Sequence, residues 1–397
     1  MSESCLFLTV SQNGNQVELV SNKDHKIFYE VEGLKLPQLS DFSFAVWHFL
    51  PYALKTGADI HVTGPVDPAT LQNAMDVSVI WEMWEPSRFR SVTVTADATA
   101  APPPPKTNES FSFFSGGVDS THMLLEAGAQ PVPGAVLSVH GMEYNFDRKE
   151  AFNALVAQTA TLLDKLNYHR IILRTNARMI ASGHHAYGMA LAGHAHLLSG
   201  HFRSAFFAAD LTSAQDFLAF PWGLNHITNR FFSGTTFSVS DTHGDMRRGD
   251  KLAALTKDET ALNSISVCKD KSIRPNNCGV CKKCLRTKLL LFVTSCEIPN
   301  IFVNQNFGGE QIRQINLQDP VERLSFIEAY QIAARTGSLE RCPDLKKRFE
   351  REIRQDRAKL TFSAAHGRAL VRRWAKTVLG QGGTQLSRSL FLRGPKK

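Results

Sequence analysis

An α/β protein with a parallel sheet and helices on both faces is the fold class this sequence predicts, and three observations carry the expectation. Short apolar runs alternate with helical periodicity between residues 110 and 208. A run of four prolines, residues 102–105, interrupts the chain once, ahead of that pattern. A bare turn, Ser115-Gly116-Gly117, stands where the first run meets the first helix.

Residues 1–101 read as a small α+β domain. Strands are expected over 6–10, 16–20 and 27–31, with a turn at Asn13-Gly14, then a strand over 58–64, a helix opened by Asp67-Pro68, and a strand over 91–96. Residues 102–108 form a Pro-rich linker, because stacked prolines cannot join a strand ladder and favour an extended spacer. From 109 to 300 the pattern predicts strands over 110–114, 135–140, 170–174 and 202–208, with helices over 119–127, 147–167 and 184–199 between them. The helix over 147–167 places Phe152, Leu155, Val156, Leu162, Leu163 and Leu166 on one face. In such sheets ligands sit beyond the carboxyl ends of the strands. Helices are also expected over 286–294 and 321–360, in a helical, basic region from 301 to 397.

Composition narrows the class. At 397 residues, 43% hydrophobic and 21% charged, the chain is long enough for two or three globular domains. No apolar run reaches the length of a membrane span and the start lacks a signal-peptide pattern, so a soluble, cytoplasmic protein without membrane contact is expected. The net charge of +8 is concentrated at the end: residues 341–397 hold 16 Lys+Arg against 4 Asp+Glu. That tail either tracks a nucleic-acid backbone or is a solvated basic helix.

A Gly-Gly turn between strand and helix brings backbone N–H groups close to an anion, and the helix adds its positive end. Neither GxxxxGK[ST] nor GxGxxG is present. Downstream, Cys268, Cys278, Cys281 and Cys284 follow C-x9-C-x2-C-x2-C. Four thiolates so spaced wrap one tetrahedral Zn²⁺ with no open position, a structural site; an iron–sulfur cluster is the other occupant of such a set.

The hexapeptide SGGVDS, Ser115–Ser120, resembles the SGGxDS signature of the PP-loop ATP pyrophosphatases. Its pairing with Cys-x9-Cys-Gly-x-Cys-x2-Cys about 150 residues later is similar to the 7-cyano-7-deazaguanine synthases in particular. The stretch SVHGMEYNFDRKEAF is weakly similar to that family's second strand and following helix, and the likeness spans residues 110–292. It implies a Rossmann-like (HUP-type) sheet with a zinc knuckle, and an ATP-dependent, AMP-forming C–N ligase that adenylates a carboxylate or amide oxygen and passes it to ammonia or another amine. It further implies that Ser115, Gly116, Gly117, Val118 and Ser120 cradle the β,γ-pyrophosphate of ATP and that Asp119 positions it or its Mg²⁺. Asp119, Ser120 and Lys251 are then the catalytic candidates, with Arg247 and Arg248 competing with Lys251 for the phosphate.

Weaker expectations complete the site. Arg178 is placed to bind an anion or to be a solvated loop arginine, and His140 with Glu143 to meet adenine or ribose. Asp210 and Asp216 read as Mg²⁺ ligands or as loop acids. Of the histidines in 184–201, only His184 and His185 stand where a substrate would be met. The partners expected are a small-molecule or protein-terminus acid and an amine donor, with a homo-oligomer as the assembly. The alternative functions are a PP-loop tRNA-modifying enzyme and a non-catalytic nucleotide-binding component of a defence or biosynthetic system.

Overall fold

The structure, a computed structural model, describes residues 5–105, 107–127, 134–218, 221–341 and 343–361. In chain order the first part holds β1 (Cys5–Asn13), β2 (Gln16–Ser21), β3 (Lys26–Glu32), α1 (Ser43–Thr56), β4 (Asp59–Val66), α2 (Pro68–Trp84) and β5 (Val94–Thr99). The second holds β6 (Ser110–Phe113), α3 (Val118–Glu126), β7 (Ala135–His140), α4 (Lys149–Gln158), α5 (Ala160–Lys165), β8 (His169–Thr175), α6 (Ala186–His196), β9 (Ser204–Ala208), α7 (Ser213–Leu218) and β10 (Ser238–Thr242). Helices finish the chain: α8 (Arg248–Leu255), α9 (Glu259–Ser264), α10 (Lys282–Ser295), α11 (Gly309–Arg313), α12 (Pro320–Thr336), α13 (Ser338–Arg341) and α14 (Pro343–Thr361).

One mostly parallel sheet of ten strands, ordered β10-β9-β6-β7-β8-β3-β2-β1-β4-β5, runs through both parts. Strands β9, β6, β7 and β8 are mutually parallel, as the alternating pattern predicts, and β10, which that pattern does not mark, joins them parallel to β9. The expectation of a separate N-terminal α+β unit is corrected in one respect: β3 pairs antiparallel with β8, from Tyr29 opposite Thr175 to Glu32 opposite Ile172. Without β3, β8 would present a row of unpaired backbone groups. Side chains reinforce the seam, with Arg174 bonded to Glu32 at 2.7 Å and Asn176 bridging Phe28 N–H and the Lys26 carbonyl. The proline run therefore links two halves of one sheet.

The sequence pattern misses α1. Its residues Phe44 to Leu50 are buried all round, so no polar face marks it as a helix, and Pro51 lies within it. It packs on α6, where Gly193 lets the His48 ring approach; a Cβ there would lie 2.5 Å from the imidazole. The expected helix over 147–167 is interrupted at Thr159, whose hydroxyl donates to the Leu155 carbonyl and accepts from Arg170. Most of residues 341–397 beyond α14 lie outside the described residues. Among the described residues no helix is long and apolar enough to cross a membrane.

Between the halves His48 Nε2 faces His194 Nδ1 at 3.1 Å, and Tyr29 Oη lies 3.0 Å from His48 Nδ1. Burial pushes His48 from 6.5 down to about 3 and lowers His194 as well. Both are therefore neutral when folded, whereas the unfolded chain protonates them, so stability is lost as pH falls below the unfolded value. The denaturation midpoint is expected to drop steadily from about pH 6.5 downward, with a shallower slope in His48→Gln; equal slopes in the two proteins would contradict this.

Candidate functional site

The site starts at the end of β6. Gly116 adopts φ 68°, and a Cβ there would come within 2.8 Å of Leu155, so the turn admits no side chain. The Gly116 carbonyl accepts from Ser266 N–H at 2.7 Å, which ties the turn to the segment after α9. Gly117 opens α3 without any side-chain cap. The first N–H groups of the helix are thus left for a ligand. Ser115 Oγ and Ser120 Oγ stand 3.2 Å apart at the same spot.

Asp119, in the first turn of α3, is buried and gripped from α8: Lys251 Nζ lies 3.3 Å from Oδ1, and Arg248 donates to Oδ2. Burial alone would raise this carboxyl, but Arg248 and Lys251 outweigh it and hold the group below its ordinary range. Lys251 is fully buried and also donates to the Ala209 carbonyl at 2.6 Å. Glu328 of α12 completes the arrangement, accepting from Gly249 N–H and from Gln215 Nε2 at 3.2 Å. An acid from 80 residues downstream thus caps α8.

Asp119, Arg248, Gln215 and Glu328 border a cavity of about 550 Å³ beyond the carboxyl ends of the parallel strands. Ser115, Gly117 and Asp119 form one wall, and Arg248, Arg274, Lys283 and Arg286 line it with positive charge. Residues 316–328, at the start of α12, close the outer side. A smaller recess of about 90 Å³ adjoins the loop, with Phe113, Leu137, Val139 and Phe207 at the strand ends on its apolar side and Asp119, Glu143 and Asp210 on its polar side. Two acids face in with opposite bias. Burial would raise Glu143, but Lys283 and Arg274 overcome it, whereas burial and then Asp119 raise Asp210. Tyr187 donates to Glu143 at 3.1 Å.

The four cysteines converge just behind this wall. Cys268, Cys278, Cys281 and Cys284 place their sulfurs within 4.8 Å of one another, a cluster able to hold a metal ion. Backbone N–H groups of Val280 and Cys281 point at Cys278 Sγ at 3.4 and 3.3 Å, and that of Lys269 at Cys281 Sγ at 3.4 Å, donors that suit thiolate ligands. Gly279 turns the knuckle at φ 81°, with no room for a Cβ beside the Asn304 carbonyl. Cys281 is also the residue from which α10 starts.

The expected residues divide clearly. Ser115, Gly117, Asp119 and Ser120 border the cavity or its recess, while Gly116 shapes the turn and Val118 is core. Lys251 lies behind Asp119, off the cavity wall; Arg248, its competitor, takes the wall position because it is three residues nearer the helix start. His140 lines neither the cavity nor the recess: its ring stacks on Phe152, a residue of the recess wall, at 4.6 Å and meets Arg174 at 3.1 Å. Arg178 likewise lies outside both linings, exposed and bonded to the Met142 carbonyl. His184 pairs with Glu85 and His185 bonds the Pro51 carbonyl, both serving helix packing. Asp210 lines the cavity, and Asp216 instead bonds His226.

Sequence reasoning passes over Arg274, Lys283, Arg286 and the whole α12 wall. A usable signal exists for two of them, since Lys283 and Arg286 are three apart and follow a cysteine ligand, which suits one helix face. No family model, curated protein or solved structure matches the chain.

Purified protein is expected to carry close to one metal ion per chain by elemental analysis, and Cys278→Ser or Cys284→Ser to lose it. Full retention in both variants would show that the four sulfurs do not hold it.

Proposed function

We propose that the chain is an ATP-dependent, AMP-forming ligase of the PP-loop type, acting on a carboxylate or amide oxygen. One observation carries this reading: an uncapped glycine turn at a helix start faces a cavity whose other wall bears Arg248, Lys283 and Arg286. Backbone donors and cations on two sides suit a polyphosphate, which carries its charge along its length. The apolar side of the recess beside the loop suits the flat base of a nucleotide.

In this reaction the substrate oxygen attacks the α-phosphorus and the bond to the β-phosphate breaks. Its electron pair leaves with pyrophosphate. The amine then attacks the activated carbon, AMP departs, and the amine's proton passes to a base. Preorganised N–H dipoles and cations stabilise the charge that grows on the leaving group. Mg²⁺ brought in with ATP would supply further neutralisation of phosphate oxygens; Asp119 and Asp210 both border the cavity, and the two oxygens of Asp119 are already engaged by Arg248 and Lys251. The four-cysteine set matches Zn²⁺, and with every ligand position filled by sulfur the ion is structural.

Incubation with ATP, ammonium and a panel of carboxylic acids is expected to yield AMP and pyrophosphate, and Asp119→Asn to slow release by roughly 100-fold or more. Formation of ADP and orthophosphate, or ATP binding with no turnover across the panel, would overturn the reading.

A further inference from the structure

We infer that Lys283 and Arg286 on α10 form a diphosphate clamp facing the glycine turn, which holds the departing pyrophosphate from the side opposite the loop. The inference rests on the ATP-cleaving reading for its place in the reaction, but the anion site itself follows from charge and geometry alone.

Two observations converge on these two residues. Both line the 550 Å³ cavity, and being three apart on one helix they present their charged heads to the same space. The Nε of Arg286 is buried with no hydrogen-bond partner, as is the Nε of Arg248 beside it. A cation so placed leaves a donor unsatisfied until an acceptor arrives.

The charges favour a diphosphate over a single carboxylate. Asp119 answers Arg248 and Lys251, and Glu143 lies 3.7 Å from Arg274. Asp210, the remaining acid of this inner region, is biased toward its neutral form by burial and by Asp119. The four cations Arg248, Arg274, Lys283 and Arg286 therefore outnumber by two the acids held ionised beside them, Asp119 and Glu143, and a single carboxylate answers one charge of that excess. Pyrophosphate, with two or more negative charges, answers both and still reaches the N–H groups of the turn. As the bond between the α- and β-phosphates breaks, its electron pair moves onto the pyrophosphate. The negative charge there rises, and this clamp meets it without rearrangement.

The metal cluster gives the clamp its rigidity. Cys281 begins α10 and Cys284 lies in its first turn, so two ligands of one cluster set the helix end from which Lys283 and Arg286 project. Lys288 anchors the next turn on the Asn304 and Asn306 carbonyls at 2.5 and 3.1 Å.

Calorimetric titration of the metal-loaded full chain with inorganic pyrophosphate and, separately, with AMP tests this. Pyrophosphate binding is expected to weaken by roughly 10-fold or more in Arg286→Ala and in Lys283→Ala, from the loss of charge-assisted bonds. AMP affinity should change less than about twofold, which also reports an intact fold, and Arg286→Lys should recover part of the loss. Wild-type protein that does not bind pyrophosphate, or alanine variants that bind it as wild type does, would overturn the clamp. An equal loss of AMP and pyrophosphate affinity would do so too. Pyrophosphate binding that depends on Arg286, in a protein that never cleaves ATP, would instead sink the ligase reading and leave the clamp standing.

Discussion

The buried carboxylate of Asp119 is the constraint on which the site is built. Taken from water unpaired, it would cost several kcal/mol, and Lys251 and Arg248 reduce that cost by approaching its two oxygens separately. Because the acid sits in the first turn of α3 and both cations in α8, their pairing sets one helix start against another. The glycine turn between β6 and α3 then faces the cavity, and the helix it opens has no side-chain cap. Glu328 extends the same logic outward by bonding the backbone at the start of α8, so α12 joins the arrangement.

A second constraint acts through sulfur. Drawing Cys268, Cys278, Cys281 and Cys284 together decides where α10 begins, and the helical repeat then aims Lys283 and Arg286 into the cavity. The four-cysteine cluster, able to hold a metal ion, and the cationic wall are thus one mechanical unit, although none of the four cysteines lines the cavity itself. The residues that form the opposite wall come from the carboxyl ends of β6, β7 and β9, as the parallel order of these strands requires.

Local pattern made much of this legible. The parallel strands from β6 to β9, the turn at Ser115-Gly116-Gly117 and the cysteine spacing all depend on near neighbours in sequence, and alternation or fixed spacing encodes them. Strand β10, with its polar Ser238–Thr242, lacks an apolar run and passed unread; α1 passed unread for the opposite reason, being apolar on every side. His140 and Arg178 stand where a strand end suggests ligand contact, yet Arg174 with Phe152 and the Met142 carbonyl occupy them instead.

By itself, then, the sequence determined the α/β class, the bare turn between β6 and α3, and the four thiols that gather. Only the tertiary structure decided that both halves share one sheet through β3 and β8, that Arg248 and not Lys251 reaches the cavity, and that α10 and α12 furnish its other walls. The physical reason is range. A turn or a ligand spacing is a property of a few consecutive residues, whereas a buried charge takes whichever partner the packing of distant helices brings within about 4 Å, where Coulomb attraction is strong.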